Sequence, residues 1–81
     1  MYKIDWKEHA LHNLKNLEDS IAKRIVKKVE ALITNPFSGD IKKLKGIPGY
    51  RLRIGDYRVI FDVEKDMIFI IKIGHRKHIY D

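Results

Sequence analysis

The chain has no cysteine, which excludes disulfides and thiolate metal sites and makes an interior, reducing compartment the default expectation. No window approaches the ~18 consecutive apolar residues of a membrane span. Met1-Tyr2-Lys3-Ile4-Asp5 is not a charged stretch leading into an apolar run, so it does not read as a secretion signal. A cytoplasmic protein with no membrane partner is expected. Repeats, low-complexity segments and linkers are also missing. The 81 residues form a single expected domain, 1–81, near the lower size at which a hydrophobic core holds without staples. Acid is outnumbered by base, 11 Asp+Glu to 17 Lys+Arg, and the excess is unevenly placed. Residues 1–41 carry 7 Lys+Arg against 6 Asp+Glu, whereas residues 42–81 carry 10 against 5. A basic half-domain points to nucleic acid or an acidic protein partner.

What is present is a clear alternation of elements. Tyr2, Ile4 and Trp6 alternate with Lys3 and Asp5, the mark of a short strand. Asp5-Trp6-Lys7-Glu8 has capping-box spacing and predicts a helix starting there, with Ala10, Leu11, Leu14 and Leu17 on its apolar side. A second helix from Asp19 or Ser20 places Ile21, Ile25, Val29 and Ile33 on one stripe, broadened by Ala22, Val26 and Leu32, and Asn35-Pro36 ends it. Phe37 to Pro48 shows no period and is expected to be a loop. His9 and His12 lie three apart without a third ligand in view, so they read as surface residues and no metal is expected. Trp6 and Phe37 are expected in the core or as a lid.

The most informative stretch follows. Tyr50-Arg51-Leu52-Arg53-Ile54 alternates in polarity, Gly55-Asp56 is a two-residue turn signal, and Tyr57 to Val63 alternates again, predicting a β-hairpin. With that loop, Arg53 stands opposite Arg58 and Arg51 opposite Ile60, so Arg51, Arg53, Arg58 and Asp62 share one face. Two arginines directly across from one another cost a few tenths to ~1 kcal/mol, a cost that a polyanion would offset. The alternative is a solvated face whose charges meet carboxylates such as Asp56 or Asp62. Met67 to Ile73 is a further strand, apolar throughout. A strict alternation puts Met67, Phe69, Ile71 and Ile73 on one side and Ile68, Ile70 and Lys72 on the other. Gly74 ends it, and a basic tail follows. The expected fold is α+β: a strand, two helices and a three-stranded antiparallel meander, with the helices on one face of a mostly antiparallel sheet. The open face would carry Ile60, Ile68 and Ile70 beside the arginines, an apolar strip for a partner to cover.

Leu44-Lys45-Gly46, Gly49-Tyr50-Arg51-Leu52-Arg53, Asp56-Tyr57-Arg58-Val59-Ile60-Phe61, Ile73-Gly74-His75-Arg76-Lys77 and Tyr80 together resemble the RelE/ParE superfamily of toxins from toxin–antitoxin systems, closer to its RelE branch. The resemblance covers essentially the whole chain. It implies a ribosome-dependent endoribonuclease that cuts messenger RNA in the decoding site, by attack of the 2′-hydroxyl on the adjacent phosphate, without a cofactor. It also implies a cognate RelB-like antitoxin: the free toxin would be a monomer that assembles with this partner, the strip Ile60, Ile68 and Ile70 being the expected contact. The family's basic cluster and terminal tyrosine map onto Arg51, Arg53, Arg58, Arg76 and Tyr80.

Where RelE proteins often carry lysines, this chain has Arg51 and Arg53. A guanidinium stays protonated at neutral pH and cannot take the 2′-hydroxyl proton. His75 and His78 flank Arg76, and His75 is the expected general base, with Tyr80 stacking on a nucleobase or helping a proton move. Lys42, Lys43, Lys45, Lys72 and Lys77 are expected to dock the protein on RNA phosphates. Two competing readings are a ParE-like poison of DNA gyrase without nuclease chemistry, and a degenerate RNA-binding relative.

Overall fold

The computed structural model describes residues 1–80. Strand β1 (Lys3–Trp6) leads into helices α1 (Glu8–Lys15) and α2 (Asp19–Glu30), a 3-10 turn over Ala31–Ile33, then β2 (Ile41–Lys43), β3 (Tyr50–Ile54), β4 (Tyr57–Glu64) and β5 (Met67–His75). The strands form one sheet in the order β1-β5-β4-β3-β2. Every pairing is antiparallel except β1 with β5. The expected α+β layering is found, with two strands at the edges beyond the meander.

Helix α1 does not use the capping box. Asp5 stays in β1 and its carboxylate takes the Lys7 ammonium at 3.0 Å, leaving Lys7 as the N-cap with no side-chain cap. Strand pairing holds Asp5 extended here: the Lys7 amide donates to the Ile70 carbonyl at 2.9 Å, continuing the β1–β5 contact to the helix start. Farther along, past the end of β1, the Ile73 amide donates to Asn13 Oδ1 at 2.9 Å, so α1 supplies the partner that the edge strand no longer provides.

Between sheet and helices lies the core: Ala10, Ile25, Val29 and Leu32 from the helical side, and Leu52, Ile54, Val59, Phe61, Ile68, Ile70 and Ile73 from the sheet. Trp6 packs against it as expected, whereas Phe37 stays half exposed with its ring edge-on to Tyr50 at 5.1 Å. The hairpin register agrees with the sequence reading: Ile54 faces Tyr57, Arg53 faces Arg58, Leu52 faces Val59 and Arg51 faces Ile60. Among the two loop residues only Gly55 has a positive φ, of 58°, the II′ pattern that matches strand twist. Gly49 is required for a different reason. Its φ is 113° and a Cβ there would stand 2.9 Å from the Phe61 carbonyl oxygen.

One expectation is overturned. The β4–β5 ladder runs Tyr57–His75, Arg58–Gly74, Val59–Ile73 and Ile60–Lys72, then resumes at Phe61–Ile70, leaving Ile71 as an extra residue. This bulge reverses the alternation, so Ile68 and Ile70 turn inward and are fully buried. They cannot form an exposed strip. Ile60 keeps the open face but is 9% exposed. The apolar side chains that the open face offers beside it are Phe69, opposite Asp62, and Ile71 at the bulge.

Candidate functional site

The face away from the helices is built in rows across the strands. One row reads Lys42, Arg51, Ile60, Lys72; the next reads Arg53, Arg58, Gly74. Strand β2, which the sequence reading left as loop, sets the first row by placing Lys42 directly opposite Arg51. Arg76 follows β5 by one residue and its amide donates to the Asp56 carbonyl at 2.8 Å, which extends the ladder and returns Arg76 to the same face. Arg51, Arg53, Arg58 and Arg76 are thus brought together.

Their partners differ. Arg58 turns back on the hairpin loop, its Nη1 donating to the Gly55 and Tyr57 carbonyls at 2.9 Å each. Arg53 pairs with Asp40, Nε to Oδ2 at 2.8 Å, and Arg76 with Asp56, Nε to Oδ1 at 3.6 Å. Both pairs are exposed. Arg51 has neither ion pair nor side-chain hydrogen bond among the described residues. It lines a cavity of about 270 Å³ together with Lys42, Lys43, Leu44, Lys45, Ile47 and Tyr80. An unpaired guanidinium beside three lysines and an exposed phenol has the chemistry to hold a phosphate with an attached aromatic base.

Tyr80 reaches this cavity because the tail folds back. The His78 and Ile79 amides both donate to the His75 carbonyl, at 2.9 and 3.0 Å, and Ile79 is buried against the open face at Gly74. Lys72 and Tyr80 line a second, apolar cavity of about 300 Å³ with Leu44, Ile47, Ile60, Ile71 and Ile79.

His75 lies on the other side of the sheet from the arginines. It pairs with Tyr57, so its side chain stands on the helix side of the sheet, and the two rings meet edge-on at 5.5 Å. Its Nδ1 accepts the Lys77 amide at 3.2 Å. That contact is compatible with the tautomer carrying its proton on Nε2. Lys77 is exposed in the turn after β5, outside both cavities. Asp62, considered as an arginine partner, instead accepts the Val63 amide at 2.8 Å. Asp40 and Ile79 carry the site without having been singled out in the sequence. A lone Asp after a glycine and a lone Ile in a basic tail give no periodic signal.

An open cationic sheet face backed by two helices defines a small basic α+β protein. The family model described as "ParE toxin of type II toxin-antitoxin system, parDE" matches residues 4–80. Toxin RelE3 of Methanocaldococcus jannaschii is 36% identical over 84 residues, covering 98% of this chain and 96% of the relative. The mRNA interferase toxin RelE of Escherichia coli is 30% identical over 81 residues, covering 94% and 84%. The RelB–RelE antitoxin–toxin complex from Methanococcus jannaschii superposes with a TM-score of 0.75 at 32% identity, covering 94% of each chain. This chain belongs to the RelE/ParE superfamily of type II toxin–antitoxin toxins, on its RelE branch.

Proposed function

We propose that this chain is a messenger-RNA-cutting toxin that acts in the ribosomal decoding site and is held inactive by a RelB-like antitoxin. The observation that carries the reading is the unpaired Arg51 in one cavity with Lys42, Lys43, Lys45 and Tyr80, on a face shared with Arg53, Arg58 and Arg76. In the reaction the 2′-hydroxyl attacks the adjacent phosphorus as its proton passes to solvent water, the 5′-oxygen of the next nucleotide leaves and takes a proton from water, and a 2′,3′-cyclic phosphate remains. Negative charge grows on the phosphoryl oxygens in the transition state. Guanidinium forks fixed on a rigid sheet stabilise that charge with little reorganisation. Tyr80 supplies a ring on which a splayed base stacks. The chain's contribution is therefore electrostatic and positional, with no role for the His75 imidazole.

Support for the activity comes from relatives named mRNA interferases at 30% identity, and support for the partner from solved complexes of RelE proteins with RelB antitoxins. Phe69 and Ile71 replace Ile68 and Ile70 as the apolar side chains beside Ile60 that a partner would cover. A gyrase-poisoning reading rests on the ParE description of the family model alone. Purified protein added to translating ribosomes, with messenger ends mapped by primer extension and gyrase supercoiling assayed in parallel, separates the readings. Cleavage in the decoding site is expected. Lost supercoiling with intact messenger would replace the proposal by the gyrase one, and inactivity in both assays would leave an RNA-binding relative.

A further inference from the structure

Two aspartates each meet an arginine through both backbone and side chain, closely at Arg53 and more loosely at Arg76. Asp40 and Arg53 are direct cross-strand neighbours one step beyond the β2–β3 ladder, and Asp56 and Arg76 stand one step beyond the β4–β5 ladder. In each pair the aspartate's carbonyl takes the arginine's amide, at 2.9 Å for Arg53 and 2.8 Å for Arg76. In each pair the carboxylate also approaches the guanidinium at Nε, the inner corner of the fork. The Nη groups of both arginines are left without a hydrogen-bond partner among the described residues. A carboxylate that engaged the two Nη groups bidentately would occupy the outer edge of the fork. One that meets only Nε leaves the outer edge of the fork for a phosphate.

We infer that Asp40 and Asp56 are positioning residues that aim the forks of Arg53 and Arg76 at the scissile phosphate. The inference rests on the nuclease reading and specifies how that site is organised. Electrostatics and orientation act in opposite directions here, which makes the two separable. Removing a carboxylate from a cationic face strengthens its attraction for RNA. Releasing a long side chain from its register lowers the fraction of bound complexes with the fork in place. A counterion-only role therefore predicts faster cleavage in Asp40→Ala and Asp56→Ala, and a positioning role predicts slower.

The test is single-turnover cleavage of messenger on programmed ribosomes, read as the rate at saturating toxin and the toxin concentration giving half that rate. For Asp40→Ala and Asp56→Ala the saturating rate is expected to fall by about 10- to 100-fold, the scale of a small misplacement of a catalytic group. Half-saturation should stay level or drop, and the melting temperature should hold, since exposed ion pairs contribute little to stability. Asp40→Asn and Asp56→Asn keep an oxygen in the same place and are expected to recover most of the rate. Alanine variants that cut at or above the parental rate, or asparagine variants that lose as much as the alanine ones, would overturn the inference. Arg53→Ala and Arg76→Ala tell the two levels apart. If they lose activity while the aspartate variants do not, only the positioning role fails. Messenger left intact by the parental protein removes the nuclease reading and this inference together.

Discussion

Ile79 occupies the space that Gly74 leaves empty: a Cβ on Gly74 would stand 3.1 Å from Ile79 Cδ1. Gly74 is the cross-strand partner of Arg58, in the middle of the cationic face. A side chain there would press on Ile79, and its absence gives the tail an apolar seat. Ile79 is 2% exposed although it is two residues from the chain's last position.

Ile79→Ala is accordingly expected to cost about 2–3 kcal/mol, the usual penalty for emptying a buried isoleucine site. Urea denaturation monitored by circular dichroism measures it. Gly74→Ala should cost less, because Ile79 can yield by a small shift. A loss below about 0.5 kcal/mol for Ile79→Ala would mean that the tail is not seated in solution.

Binding to RNA should weaken with salt through the first row of the open face. In Arg51→Ala and in Lys42→Ala the slope of log affinity against log salt concentration is expected to become shallower by about 0.7–0.9 each. Fluorescence anisotropy with a labelled oligoribonucleotide reads the slope. Unchanged slopes would place the phosphates elsewhere.

His75→Ala should leave the saturating cleavage rate near parental while lowering stability by about 0.5–1.5 kcal/mol through the lost edge-on contact with Tyr57. Single-turnover cleavage and thermal melting measure the two effects on one sample. A rate loss of about 100-fold or more, the scale of general-base catalysis, would return the proton-accepting role to His75.

Lys65 sits in the β4–β5 turn with φ of 55°, the single positive-φ residue other than glycine among the described residues. Glycine adopts that conformation without the clash that any L side chain meets there. Lys65→Gly is expected to stabilise the protein by roughly 0.5–1 kcal/mol, which is a rise of several degrees in melting temperature for a domain of this size. A lowered melting temperature would contradict it.

The hairpin was legible in the sequence because alternation, turn type and loop length all specify one register, and Arg53 meets Arg58 as expected. The helices were legible for the same reason, as their apolar stripes run over several turns. Strand β5 was not, because an unbroken apolar run has no polar residues to reveal its parity. One inserted residue at Ile71 then exchanges the two faces. Strand β2 was missed because three residues, Ile41–Lys43, are too few to show a period. The capping box failed because Asp5 was already committed to a strand that its own spacing could not disclose. At the site, the clustering of arginines followed from the hairpin alone, and His75, two residues after the inward Ile73, shares its side of the sheet.

Pairing β1 with β5 makes the domain's earliest strand wait for its latest. Until residues 67–70 are available, Lys3–Trp6 has no neighbour, and until residues 74–76 follow, Arg58 and Asp56 lack their partners across the sheet. Vectorial synthesis therefore yields helices and a hairpin first and the finished basic surface last. On the function proposed above, a nascent copy of this polypeptide carries no completed site while it is still being made.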